Sequence, residues 1–366
     1  DLGEGPGQRG HGGAGRGGGD VGQVSGTGSS SAERYPGDRA FPWQATSACD
    51  RGGLWQGERM SSVPRVAVVP DSRPVMYDAF VAAVRDGGGE VVPIADAEAI
   101  VWADPAVSDT FPDVVRAAPR LRWVQLPYAG IEPFARHLDD RYIWTCGKGV
   151  YAQPVAEHAL ALALAGLRGL GVYARADAWS GPIGVNLIGA KVVVVGGGGI
   201  CDALLGLLAP FRCSVTVVRR SARPIPGVTV VGTDALHDVV ATADVVFLAL
   251  ALTPETVGIV DARVLDAMQP HVWLVNVARG AHIVTDDLVA ALRDGRIGGA
   301  ALDVTDPEPL PAGHPLWSLP NCIITPHIAN TPEMGLPLIA ERVRTNVARF
   351  AAGEPLEGVV DVALGY

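Results

Sequence analysis

The run Val192-Val193-Val194-Val195, followed at once by Gly196-Gly197-Gly198-Gly199-Ile200-Cys201, restricts the fold of this chain more than any other feature. An unbroken valine strand carries no polar face, so a sheet built on it must be covered on both sides. After the glycines, Ala203-Leu204-Leu205 continues as the start of a helix. Buried strand, glycine turn and helix together are the frame of a dinucleotide fingerprint. Gly196 would make the tight turn, and Gly198 would let the backbone approach a pyrophosphate. Gly199 and Ile200 would open the helix, whose free N–H groups point at that anion. Cys201 stands where the pattern uses a third glycine for close helix–strand packing. It is small and apolar enough to pack there, and a redox-active thiol at a helix N-terminus is the minor reading. Asp202 is expected to point to solvent.

Short apolar segments alternate with helical ones along most of the chain. Strands are expected at 66–69, 90–93, 99–102 and 122–125, and again at 191–195, 214–218, 228–231, 244–250, 272–275, 299–304 and 322–325. This alternation predicts parallel sheets covered by helices, an α/β fold. The 366 residues, 48% of them hydrophobic, suffice for two domains. Between the two groups of strands, Pro154 precedes an apolar helical run over 155–170. Being apolar on most faces, that helix is expected to be buried between domains or in a dimer interface. A last helix is expected over 332–351.

Residues 1–59 are of another kind, with Gly12-Gly13, Gly17-Gly18-Gly19 and Ser29-Ser30-Ser31 and no hydrophobic period. Such a composition buries too little apolar surface to offset the entropy of ordering. The segment is therefore expected to be a disordered tail outside the native fold, with Met60 as the natural start. It carries no secretory apolar core, and its interspersed acids are unlike a transit peptide.

The formal charge of −10, with no dense block of Lys and Arg, argues against nucleic acid or an anionic membrane as partner. No apolar run approaches the roughly 18–20 residues of a membrane span. The five cysteines (49, 146, 201, 213 and 322) lack metal-ligand spacing, and no metal site is expected. They read as reduced thiols of a cytoplasmic protein.

After the second strand of the glycine-turn unit, NAD enzymes usually offer an acid to the ribose hydroxyls. Here the chain reads Arg219-Arg220-Ser221, with Arg223 close behind. Two guanidiniums and a hydroxyl suit a 2′-phosphate, so NADP(H) is favoured, with NAD(H) as the alternative.

Three residues follow the glycine turn in a fixed order. Arg279 lies in Asn276-Val277-Ala278-Arg279-Gly280, Glu308 in Asp306-Pro307-Glu308-Pro309-Leu310, and His327 in Thr325-Pro326-His327-Ile328. A fixed cation, a histidine and a carboxylate to tune it are what α-keto acid reduction beside a nicotinamide requires. With Tyr128-Ala129-Gly130, Val155-Ala156-Glu157-His158, Leu252-Thr253-Pro254, Ala301-Leu302-Asp303-Val304 and His314-Pro315-Leu316-Trp317, this order resembles the D-isomer-specific 2-hydroxyacid dehydrogenases. The resemblance covers roughly residues 65–366.

It implies two doubly wound parallel-sheet domains. A Rossmann dinucleotide-binding domain (155–330) would be inserted in a flavodoxin-like substrate domain (60–154 and 331–366), to which the last helix returns. Arg279 would clamp the substrate carboxylate and keto oxygen. His327 would exchange a proton with the carbonyl oxygen, and Glu308 would stabilise its imidazolium. Asp303 would accept from the nicotinamide carboxamide, aided by carbonyls near Val277, and Thr253 would border the cofactor. The N–H groups of Ala129 and Gly130 would hold the substrate carboxylate beside Tyr128. A glutamate at 308, where formate-type enzymes carry an amide, points to small 2-keto or 2-hydroxy acids such as glyoxylate and hydroxypyruvate. A homodimer is implied as well. The resemblance leaves two other readings open: oxidation of 3-phosphoglycerate, for which no phosphate-holding basic residues stand out, and a dinucleotide-sensing interaction protein resembling transcriptional corepressors. His158 reads as a packed or interface histidine, and His282 has no evident partner.

Overall fold

The computed structural model describes residues 63–221 and 223–365. The expectation for the glycine-rich segment 1–59 falls outside them. Both sheets described below belong to one compact unit of the chain.

The first sheet contains β1 (Arg65–Val69), β2 (Glu90–Val91), β3 (Ala99–Trp102), β4 (Trp123–Gln125) and β5 (Ile143–Thr145). Every pair is parallel and the order is β2-β1-β3-β4-β5, the flavodoxin-like arrangement. Helix α1 (Pro74–Asp86) crosses from β1 to β2, and the short α2 (Phe111–Arg116) precedes β4. The three-residue β5 was not foreseen, because Ile143-Trp144-Thr145 is too short to show a period.

Helix α3 (Ala152–Leu167) and the short α4 (Leu170–Tyr173) lead to the second sheet. Its strands are β6 (Lys191–Val195), β7 (Ser214–Val218), β8 (Thr229–Val231), β9 (Val245–Leu248), β10 (Trp273–Asn276), β11 (Gly299–Leu302) and β12 (Cys322–Ile324). They are all parallel in the order β12-β11-β10-β9-β6-β7-β8, the Rossmann order extended by a seventh strand. Helices α5 (Gly199–Leu208), α6 (Leu236–Val240), α7 (Ala262–Ala267) and α8 (Thr285–Arg293) connect them. The strand order runs outward in opposite directions from β6 and β9, so the crevice at their C-terminal ends is the switch point where ligands bind in open α/β sheets.

Helix α3 begins two residues before Pro154, earlier than expected. Proline is tolerated in a first turn, where its missing N–H has no helical partner to lose. Val155, Ala159, Leu162 and Ala163 cover one face of the seven-stranded sheet, packing with Val192, Val194, Phe247 and Val275. The last helix, α9 (Pro332–Ala352), lays Ile339, Val343, Val347 and Phe350 on the five-stranded sheet beside Phe80, Val84 and Trp123.

Candidate active site

Gly196 ends β6 with φ of +116°, a left-handed conformation that side chains rarely adopt. A Cβ at Gly196 would collide with the carbonyl of Ala249, the residue that follows β9. The turn therefore closes directly over the switch point. Gly196→Ala should lower the free energy of unfolding by about 1–3 kcal/mol, through backbone strain and that collision. Chemical denaturation would measure it, and an unchanged midpoint would rule the collision out.

Gly198 has no atom within 4 Å of its missing Cβ, and α5 starts behind it without a side-chain cap. The N–H groups of Gly199 and Ile200 have no hydrogen-bond partner among the described residues, as an anion site requires. These residues fit a dinucleotide pyrophosphate. Cys201 is fully buried, and burial pushes its thiol up to about 12, with Asp202 adding to the rise. It packs and stays protonated, so the redox reading is set aside. Asp202 is exposed.

The Arg219 side chain lies over the turn, its Cδ 2.9 Å from where a Cβ on Gly197 would stand. Arg220 and Ser221 are exposed on the same loop. Thr253 sits in the loop after β9, its N–H donated to the Thr256 hydroxyl at 2.8 Å. Val277, buried, directly follows β10.

The C-terminal ends of β10, β11 and β12, neighbours in the sheet, lead to Arg279, Glu308 and His327 in turn. At the first of these ends, fully buried Asn276 accepts the N–H of Ala278 and donates to the carbonyl of Arg279. His282, buried beneath, accepts the N–H of Arg279 on Nδ1 at 3.2 Å, which leaves Nε2–H to face the Ala251 carbonyl. Burial lowers the pKa of this imidazole, in keeping with its neutral form. His282, unassigned from sequence, therefore holds the backbone of Arg279. Gly280 follows, and a Cβ there would strike the carbonyl of Thr305, so the loop after β10 lies tightly on the one that leads to Glu308.

The Arg279 guanidinium donates from Nη1 to the Ala278 carbonyl at 2.7 Å and from Nε to Glu132 Oε1 at 3.0 Å. Its Nη2 abuts Gly130, where a Cβ would collide with it. The turn after β4 thus meets the end of β10 from the other sheet. The N–H groups of Ala129 and Gly130 have no hydrogen-bond partner among the described residues. Glu132 was missed in the sequence because its partner is 147 positions away.

His327 Nδ1 lies 2.6 Å from Glu308 Oε1, both side chains being about half exposed. The backbone of His327 is left-handed, with φ of 53°. Asp303 holds it there: its carbonyl accepts the His327 N–H, and its carboxylate accepts from the Thr325 hydroxyl and the N–H groups of Ile328 and Ala329. His158 Nε2 donates to the Thr325 oxygen at 3.0 Å and lies 3.3 Å from Asp303 Oδ1. The Asp303 side chain is only 1% exposed. Among the described residues its partners are His158 and the turn that carries His327. His158 is a packed histidine, as read, but with a polar task.

Two parallel α/β sheets, with a dinucleotide turn at the switch point of one and a cation, carboxylate and histidine at neighbouring strand ends, define a nicotinamide-dependent oxidoreductase. The family model for the D-isomer specific 2-hydroxyacid dehydrogenase NAD binding domain matches residues 159–329. Over 303 residues the chain is 40% identical to an uncharacterized protein of the proB 3′ region of Corynebacterium melassecola, covering 80% of this chain and 98% of that one. It is 36% identical over 197 residues to glyoxylate/hydroxypyruvate reductase A of Escherichia fergusonii, over 53% of this chain and 58% of the reductase. The crystal structure of a D-isomer specific 2-hydroxyacid dehydrogenase from Xanthobacter autotrophicus, in complex with NADPH and MES, superposes with a TM-score of 0.72 at 26% identity, covering 83% of this chain and all of that one. This chain belongs to the D-isomer specific 2-hydroxyacid dehydrogenase family, oxidoreductases that act on the CH–OH group of 2-hydroxy acids.

Proposed function

We propose that the protein is an NADP(H)-preferring reductase of small 2-keto acids, with glyoxylate and hydroxypyruvate as the first substrates to test. The observation that carries this reading is the delivery of Arg279, Glu308 and His327 by three adjacent strand ends, with the Glu308–His327 contact already made at 2.6 Å. In this reading the Arg279 guanidinium holds the substrate carboxylate and keto oxygen, and the unpartnered N–H groups of Ala129 and Gly130 take the rest of the carboxylate. His327 donates a proton from Nε2 to the carbonyl oxygen while Glu308 stabilises the imidazolium through Nδ1. The bound nicotinamide supplies the hydride. Residues 60–154 and 331–366 hold the substrate, and 155–330 hold the dinucleotide.

The preference for NADP(H) rests on Arg219 lying over the glycine turn with no acid after β7. The Xanthobacter relative was solved with NADPH. Arg219→Asp should lower the ratio of NADPH to NADH affinity by about tenfold or more, since a charge-assisted hydrogen bond contributes about 1.5–3 kcal/mol. Fluorescence titration with each nucleotide measures it, and an unchanged ratio would refute the assignment.

A homodimer belongs to this reading. The outer face of α3 and the exposed Trp179, Ile183 and Val185 are apolar surface that supports it. Among the described residues no helix is long and apolar enough to cross a membrane, and four cysteines are free; a cytoplasmic setting suits such thiols. The functional test is loss of NADPH and NADH absorbance with glyoxylate, hydroxypyruvate, pyruvate and phenylpyruvate. Faster turnover with NADPH supports the reading. Tight nucleotide binding without turnover of any of them would favour a dinucleotide sensor.

A further inference from the structure

A cavity of about 340 Å³ lies between the loop after β1, the turn after β4 and the start of α9. Arg73, Tyr128, Tyr151, Thr331 and Leu336 are among its walls, and among the described residues Arg73 is the one charged residue lining it. The cavity adjoins the candidate site on two flanks. Tyr128 stands two positions before Gly130, which touches Arg279, and lining residue Asn330 stands three positions after His327.

Arg73 is held in place. The neighbouring Ser72 hydroxyl donates to buried Asp104 at 2.8 Å, fixing the loop, and Arg73 Nη1 donates to the Tyr128 hydroxyl at 2.8 Å. Among the described residues no carboxylate pairs with Arg73. A guanidinium carries five N–H donors, and among the described residues only one hydrogen bond accounts for those of Arg73. The remaining donors form a planar fork at the wall of a cavity otherwise lined by aromatic, apolar and neutral polar side chains. Such a fork matches the two oxygens of a carboxylate. One guanidinium balances one negative charge, whereas a phosphate dianion would stay half neutralised.

We propose that this cavity receives the far end of the substrate, and that the preferred substrate is a 2-keto acid carrying a second carboxylate. The proposal rests on the reading of the neighbouring site as a 2-keto acid reductase. Arg279 then binds the carboxylate next to the reacting carbonyl and Arg73 the distal one. Discrimination follows from the distal charge: a neutral chain end entering the cavity would leave the desolvated guanidinium without an acceptor.

Matched substrates test it. With NADPH and the full chain, kcat/KM for 2-oxoglutarate should exceed that for 2-oxopentanoate, its equal in chain length, by about tenfold or more. Arg73→Met should reduce that ratio to near one, and Arg73→Lys, which keeps the charge but not the fork, should retain part of it. A wild-type ratio near one, or a ratio unchanged in Arg73→Met, overturns the subsite. Preference for 3-phosphohydroxypyruvate over 2-oxoglutarate overturns the carboxylate class in favour of a phosphate. If no keto acid is reduced, the reductase reading fails and the subsite is decided by calorimetry with NADP⁺ present. Tighter binding of 2-oxoglutarate than of 2-oxopentanoate, lost in Arg73→Met, supports the subsite; equal affinities overturn it.

Discussion

Exchanging His327 for Gln is expected to lower kcat for keto-acid reduction by about 10²–10⁴-fold, the usual contribution of a positioned general acid, with NADPH affinity nearly unchanged. The geometry behind this is specific. Nδ1 is engaged by Glu308 at 2.6 Å, and Nε2 has no partner among the described residues, so the free nitrogen is the one available to a substrate oxygen. Gln can fill the volume and keep a hydrogen bond to Glu308, but it has no proton to give at neutral pH. The left-handed backbone of residue 327 is held by its own N–H on the Asp303 carbonyl, which the exchange leaves in place. The nucleotide turn at Gly196–Gly199 lies on another strand, β6, which is why binding should survive. Steady-state turnover and a fluorescence titration with NADPH, run on the same preparation, separate the two effects. Turnover within about tenfold of wild type would exclude His327 as the proton donor.

The parts of the molecule readable in the sequence are those that depend on neighbours along the chain. Unbroken runs such as Val192–Val195 give a buried strand because no other local structure covers both faces. The expected range 191–195 matches β6, and 214–218 matches β7. The His327–Glu308 contact was also foreseen, because the residues on either side resemble a known family. What depends on distant pairing was not legible. Glu132 meets Arg279 from the other sheet across 147 positions, and Arg73 reaches Tyr128 across 55. No periodicity encodes which side chains two sheets bring face to face. His282 escaped notice for a similar reason. Its partners are backbone groups of Arg279 and Ala251, which a list of side chains does not reveal.

Replacement of Asp303 should have the second large effect. Asp303→Ala is expected to lower the free energy of unfolding by about 3 kcal/mol or more and to depress kcat strongly. Without the carboxylate, the Thr325 hydroxyl and the N–H groups of Ile328 and Ala329 lose their acceptor. A buried donor left unsatisfied costs about 1–3 kcal/mol. Catalysis suffers through the same turn, since Thr325–Ala329 carries His327. Burial alone would raise the pKa of this carboxyl. The hydrogen bonds from His158, Thr325, Ile328 and Ala329 outweigh that and hold it at about 2 against an ordinary 3.8. At about 1.4 kcal/mol per pKa unit, the difference corresponds to roughly 2 kcal/mol of stability. The folded-state pKa is the lower one, so the unfolded chain takes up the proton first as pH falls. The stabilisation is thus complete above about pH 4 and disappears as pH falls towards about 2. Asp303→Asn lacks this titration, so the stability gap between wild type and Asp303→Asn should narrow on acidification from about pH 5 to pH 2. Unfolding curves across that range, paired with kcat and the NADPH dissociation constant at neutral pH, test the assignment. A loss of NADPH affinity with kcat and stability preserved would instead mean that Asp303 does contact the cofactor.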